Sequence, residues 1–193
     1  MTMNPRRRPF TAAEFWRMHD LGFFNSQRVE LLGGEIVTKM TQSNWHAIGI
    51  DLMRDALVAA FGPNYWVRVQ HSLDLSPLSV PDPDLAVILG TARQFRGQRT
   101  NPTSALLIVE VSETTLGEDR ARKGSLYAAA GIADYWILNI QDRVLEVRRT
   151  PMPDATQEFE FGYASLATLT EADFATPLAA PNARVAVADL LPN

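Results

Sequence analysis

Two runs constrain this chain more than any others: LAVIL at 85–89 and ALLIVEVS at 105–112. Neither alternates apolar with polar residues. Short continuous apolar runs suit strands covered on both faces, so the sheet that holds them needs helices on each side. Both runs are bordered by carboxylates. VPDPDLAVIL sets Asp82 and Asp84 against the mouth of the first, and Glu110 lies near the end of the second. An ionised carboxylate is costly to bury unless it is paired, so these positions demand a reason.

The elements around these runs are legible. Thr11 and Glu14 form a T-x-x-E capping box, with Phe10 and Phe15 as the hydrophobic staple of a helix reaching about Asp20. RVELLGGEIVTKM at 28–40 predicts a β-hairpin, because Gly33-Gly34 suits a two-residue primed turn. Residues 44–61 carry a helical period. Trp45, Ile48, Leu52, Ala56 and Ala60 make the expected stripe, with Met53 and Leu57 beside it, Ser43 or Asn44 caps the start, and Gly62-Pro63 ends it. YWVRVQHSLDL at 65–75 alternates as a strand. A further helix is expected at about 118–130, and then a hairpin of 134–140 with 143–149 around Gln141-Asp142. GYASLATL at 162–169 and ARVAVADL at 183–190 predict strands of a C-terminal β extension. The order predicts an α/β (α+β) chain with a central mixed sheet flanked by helices. Its 193 residues suit one domain, 1–193, with a core of about 28–150 and an extension of about 151–193.

Composition narrows the function classes. A net charge of −4 argues against a protein that coats nucleic acid nonspecifically, since such binding is phosphate neutralisation by Lys and Arg. Local clusters are still available at Arg93, Arg96 and Arg99, and at Arg120 and Arg122. The absence of cysteine removes disulfides, thiolate metal sites and cysteine nucleophiles together. No apolar run has membrane-spanning length, and no apolar segment follows the N-terminal arginines, so a cytoplasmic location without membrane attachment is expected.

As strand residues, Asp84 shares a face with Ala86 and Ile88, and Glu110 shares one with Leu106, Ile108 and Ser112. If the strands are neighbours, the two carboxylates converge and repel, and a divalent cation such as Mg²⁺ relieves that conflict. The plainer alternative makes Asp82 and Asp84 turn residues and Glu110 a strand-end charge. Lys123 lies four residues after Asp119, an ordinary surface ion-pair spacing, yet it is in line with Leu126, Tyr127 and Ala130 on the apolar stripe. It either snorkels outward or points at an anion. His46 falls in the first turn of the 44–61 helix; a lone histidine there is more often a cap or a packed ring than a catalyst. The sequence contains no G-x-S-x-G, no G-x-x-x-x-G-K-[ST], no G-x-G-x-x-G and no H-E-x-x-H.

RVELLGGEIV at 28–37, SNWH at 43–46, VPDPDLAVI at 80–88 and LLIVEVSETTLGEDRARKGSLYAAAGIADYWILN at 106–139 together resemble the bacterial "putative restriction endonuclease" family of the PD-(D/E)XK nuclease superfamily. The resemblance covers about residues 10–190 and is strongest from 80 to 140. It implies a restriction-endonuclease-like fold and a metal-dependent endonuclease acting on nucleic acid, DNA before RNA, with Mg²⁺ or Mn²⁺ as cofactor and a homodimer as the assembly. It implies Asp84 and Glu110 as catalytic acids and metal ligands, the Val111 carbonyl as a further ligand, and Lys123 as the lysine. Glu30 and His46 become accessory site residues. Ser112 stands where the superfamily's E-x-K pattern places lysine, so Lys123 is the displaced lysine and must reach back from a helix. A catalytically inactive binding or assembly module on the same fold is the alternative.

Overall fold

The computed structural model describes residues 8–97 and 105–192. The first helix, α1 (Ala12–Asp20), begins at the expected capping box: the Glu14 N–H donates to Thr11 Oγ1 at 3.2 Å, and the Thr11 N–H donates to the Glu14 carboxylate at 3.0 Å. Phe15 is buried with Leu31 and Val80, and Phe10 packs beside them. This small cluster fastens α1 to the hairpin of β1 (Val29–Leu32) and β2 (Glu35–Thr38). Gly33 and Gly34 both take positive φ, 58° and 84°, as a primed turn requires. Leu31 bridges Val80, so the hairpin runs beside the segment that leads into the central sheet.

Helix α2 (Asn44–Phe61) is capped by Ser43, whose Oγ accepts the His46 N–H at 3.1 Å, and it ends at Gly62. Its inner face is shifted toward the Met53 and Leu57 edge of the expected stripe. Gly49, Ile50, Met53, Leu57 and Phe61 are buried, and Trp45 is 48% exposed. Gly49 explains the rotation. A Cβ there would stand 3.0 Å from the Val111 side chain, so the helix makes its closest approach where no side chain intervenes.

The central sheet has the order β3 (Tyr65–Val69), β4 (Leu85–Leu89), β5 (Ala105–Ser112), β6 (Asp134–Asn139), β7 (Val144–Pro153) and β8 (Phe161–Leu169). All neighbours are antiparallel except β5 and β6. A parallel pair needs a crossover. Here it is α3 (Leu116–Glu118), a π turn (Asp119–Lys123) and α4 (Gly124–Ala129), where the sequence predicts one regular helix. The alternation at 65–75 also overreaches. The strand stops at Val69, because Gln70 turns away with φ of 51°. Of ARVAVADL only Val185–Ala186 is strand; it forms β10, paired with β9 (Phe174–Ala175), and Val187–Leu190 is a 3₁₀ turn. Val187, Leu190 and Leu191 pack with α2 on one face of the sheet. The crossover helix, the hairpin and Leu73 cover the other.

Candidate active site

The pairing of Leu85 with Val109 sets Asp84, one residue before β4, opposite Glu110 on β5. Both side chains are buried. Asp84 is held from three directions. Its Oδ2 accepts the Val111 N–H at 3.0 Å and lies 3.3 Å from His46 Nε2, and its Oδ1 accepts from Gln70 Nε2 at 3.2 Å. The positive φ of Gln70 returns that residue toward the β4 entrance, where its N–H also donates to the Asp84 carbonyl. A strand residue's N–H and C=O leave by the same edge. The Val111 carbonyl therefore leaves β5 on the edge that Asp84 occupies.

Glu110 Oε1 accepts from Lys123 Nζ at 3.0 Å and from the Tyr127 hydroxyl at 2.6 Å. Lys123 Nζ is also 3.8 Å from Asp119 and 3.9 Å from Glu30. Glu30, in turn, accepts the Asp82 N–H at 3.1 Å. Glu30, His46, Asp84, Glu110 and Lys123, which come from four separated parts of the chain, thus line one pocket, joined there by Lys39, Glu113, Glu118 and Asp119.

The π turn aims the lysine. The Tyr135 hydroxyl donates to the Asp119 carbonyl at 2.9 Å, and Arg148 donates to the Arg120 carbonyl at 3.1 Å. Two sheet side chains therefore reach carbonyls of this turn, and side chains that insert into a helical ladder distort it. The Gly124 N–H bonds back to Asp119, five residues earlier. The widened turn lets Asp119, Lys123 and Tyr127 all face Glu110 and Glu30, in keeping with the frequent placement of π bulges at functional sites.

Burial dominates the electrostatics. It pushes the Glu110 carboxyl up to about 8, against the pull of Lys123 and with the nearby Asp84 adding to the rise. Burial also acts on Asp84, but the His46 hydrogen bond and the Lys39, His46 and Lys123 charges outweigh it and hold that carboxyl below the usual range. Lys123 shows the converse: burial disfavours its charge, and Glu110, Glu30, Asp119 and Asp84 overcome that and raise it. Asp119 is raised by burial, in opposition to Lys123 and Thr115.

Several sequence expectations change. The Asp119–Lys123 pair is buried, not a surface pair. Asp82 is more than a turn residue, because it binds Arg28 at 3.0 Å and lies 3.6 Å from Lys39. The arginines expected at phosphates are engaged elsewhere. Arg120 pairs with Glu146, and Arg122 with Glu35 and Glu158. Arg93 and Arg96 follow the far end of β4, and Arg99 lies outside the described residues. Sequence reasoning missed Tyr127, Gln70 and Lys39. Tyr127 alone left a signal, as a hydroxyl four residues beyond Lys123 on the same stripe.

Among the described residues, no three His, Cys, Asp or Glu side chains are grouped to hold a metal ion. The Asp84 and Glu110 carboxylates with the Val111 carbonyl would make an all-oxygen donor set. That set fits Mg²⁺ or Mn²⁺, which keep waters and substrate oxygens in their other positions, better than a closed structural cage.

A mixed sheet with an aspartate before one central strand, a glutamate on the next, and a lysine returning from the crossover defines a restriction-endonuclease-like protein. The sequence profile of the family described as "Uma2: Putative restriction endonuclease" matches residues 12–187, and the chain belongs to that family. No curated protein matches. A solved protein from Anabaena variabilis, described as a "putative nuclease belonging to DUF820", shares the fold with a TM-score of 0.68 at 13% identity, over 94% of this chain and 97% of that one. No helix among the described residues is long and apolar enough to cross a membrane.

Proposed function

We propose that this chain is an endonuclease that hydrolyses phosphodiester bonds of nucleic acid, DNA foremost, at the Asp84–Glu110 pocket. One observation carries the reading: two buried carboxylates are apposed, one just before β4 and one on β5, with a lysine on one of them. Membership of the family supports it.

Asp84, Glu110 and the Val111 carbonyl would hold Mg²⁺ or Mn²⁺. Such an ion, when bound, polarises a phosphoryl oxygen and acidifies a water. In the hydrolysis a water oxygen bonds to phosphorus, the bond from phosphorus to the leaving sugar oxygen breaks, the water releases one proton and the leaving oxygen gains one. Lys123 fixes the Glu110 carboxylate and adds positive charge where the phosphate gains negative charge. His46, on Asp84 at the pocket wall, is placed to carry a proton. Glu30 holds the Asp82 backbone and so the approach to Asp84. Each chain carries one such acid pair among the described residues, so cutting both strands of a duplex takes two copies or two encounters.

The test incubates purified protein with plasmid and with single-stranded DNA in Mg²⁺, Mn²⁺ or EDTA, beside Asp84→Ala and Lys123→Ala. Metal-dependent cleavage lost in both variants is expected. Cleavage that survives Asp84→Ala places the activity elsewhere, and DNA binding without any cleavage returns the chain to a binding module.

A further inference from the structure

The pocket holds a second lysine that reaches the acid pair through its charge but makes no hydrogen bond or close ion pair with either carboxylate. Lys39 follows β2, and its N–H continues the hairpin ladder to the Arg28 carbonyl at 2.9 Å. Its side chain is 11% exposed and lines the same pocket as Asp84 and Glu110. Among the described residues its side chain makes one hydrogen bond, from Nζ to the Asp82 carbonyl at 2.5 Å. An ammonium group carries three N–H donors, so two remain for other acceptors.

The charges around the two lysines differ. Lys123 lies within 4 Å of three carboxylates, at 3.0, 3.8 and 3.9 Å, and it anchors Glu110. Lys39 lies near one, Asp82 at 3.6 Å, and Arg28 already holds that carboxylate at 3.0 Å. The trio of Arg28, Asp82 and Lys39 therefore carries one surplus positive charge, and it carries it at the wall of an otherwise acidic pocket. A phosphodiester entering there meets Glu30, Asp84, Glu110, Glu113, Glu118 and Asp119. It needs a cation with donors to spare at the pocket wall, and Arg120 and Arg122 are paired with Glu146, Glu35 and Glu158.

Resting on the nuclease reading above, we propose that the Lys39 ammonium donates to a nonbridging oxygen of the phosphate at the scissile position. Asp82 acts as its positioning residue: its carbonyl aims Nζ into the pocket, and its carboxylate draws Arg28 alongside.

The test measures binding without cleavage. A fluorescein-labelled single-stranded oligonucleotide is titrated in EDTA across a series of salt concentrations and followed by anisotropy, with wild type, Lys39→Met, Lys39→Arg and the charge-matched control Arg54→Met. The Arg54 guanidinium pairs with Asp51 and Asp55 on the exposed side of α2. Loss of one phosphate contact predicts affinity about tenfold weaker for Lys39→Met. It also predicts a dependence of log K on log salt shallower by about 0.7. Lys39→Arg recovers most of both, and Arg54→Met changes neither. A purely structural lysine would lower the melting temperature without altering the salt slope. If Lys39→Met does not fold, Lys39→Gln is read in the same assay. Unchanged affinity and slope in the lysine variant overturn the proposal while leaving the nuclease reading intact. Wild-type protein that shows the Lys39 dependence but cuts nothing with Mn²⁺ overturns the nuclease reading and leaves the phosphate contact standing. Wild-type protein that binds no oligonucleotide ends both.

Discussion

The two faces of the central sheet are built from the same strands and solve opposite problems. On one, Leu85, Val87, Leu107, Val109, Val111, Trp136 and Leu138 meet α2 and the C-terminal residues in a mainly apolar layer, with the buried, fully hydrogen-bonded Asp134 at its edge. On the other, Ala86, Ile88, Ile108, Tyr135 and Ile137 begin the same way under α4, but the layer runs into Asp84, Glu110, Asp119 and Lys123, all buried. The first face stabilises the fold by removing apolar area from water. The second holds charges whose desolvation is offset only by one another. Side chains on the first should therefore matter through volume, and those on the second through charge balance.

Four experiments test that contrast, beginning with the largest expected change. Trp136 is fully buried and donates from Nε1 to Asp134 at 2.8 Å. Trp136→Ala should destabilise the protein by about 3–5 kcal/mol in urea unfolding, the usual loss for a buried tryptophan. A loss under about 1 kcal/mol would mean that this face is not tightly packed. Lys123→Met comes next, at about 3 kcal/mol, because it strands the Glu110, Asp119 and Glu30 carboxylates without their shared cation. Adding Glu110→Gln should recover part of that loss. A double variant as unstable as the sum of the two singles would show that the lysine acts through packing and not through charge.

Glu146 offers a smaller effect with a pH signature. Burial opposes its ionisation, but the Arg120 and Arg148 guanidiniums outweigh that and hold its carboxyl below the ordinary 4.5. A depressed acid contributes stability above its unfolded value, and that contribution fades as pH falls through the lower folded value. Glu146→Gln should therefore cost about 1–2 kcal/mol at neutral pH. Variant and wild type should converge below pH 4.5 in melts run along a pH series. A gap that persists at low pH would assign the loss to geometry. Comparable in stability is Asp84→Asn, expected to cost about 1–2 kcal/mol at neutral pH: the amide oxygen still accepts the Val111 N–H, but the charge that His46, Lys39 and Lys123 favour is lost. Any metal-dependent cleavage should nevertheless vanish. A large stability loss there would give Asp84 a structural role first.

Much of the architecture was legible before any coordinates. The capping box at Thr11, the Gly33-Gly34 turn, the Ser43 cap and the hairpin around Gln141-Asp142 depend on neighbours a few residues apart, and each stands where the sequence places it. Periodicity gives the apolar stripe of α2 but not which edge of that stripe sits nearest the sheet. Gly49 decided that through its contact with Val111, far away in sequence. The π turn was hidden for a similar reason. Its cause lies in the Tyr135 hydroxyl and Arg148, on β6 and β7.

Local residue types determined by themselves where strands and helices begin, and that carboxylates would border two apolar strands, because capping, turn chemistry and side-chain period act over single turns. Only the tertiary structure decided that Asp84 faces Glu110, that Asp119 is buried, that Arg120 and Arg122 are engaged elsewhere, and that Lys39 joins the pocket. Strand register and hairpin docking bring together groups that are dozens of residues apart, and a charge takes its meaning from the partners that burial sets beside it.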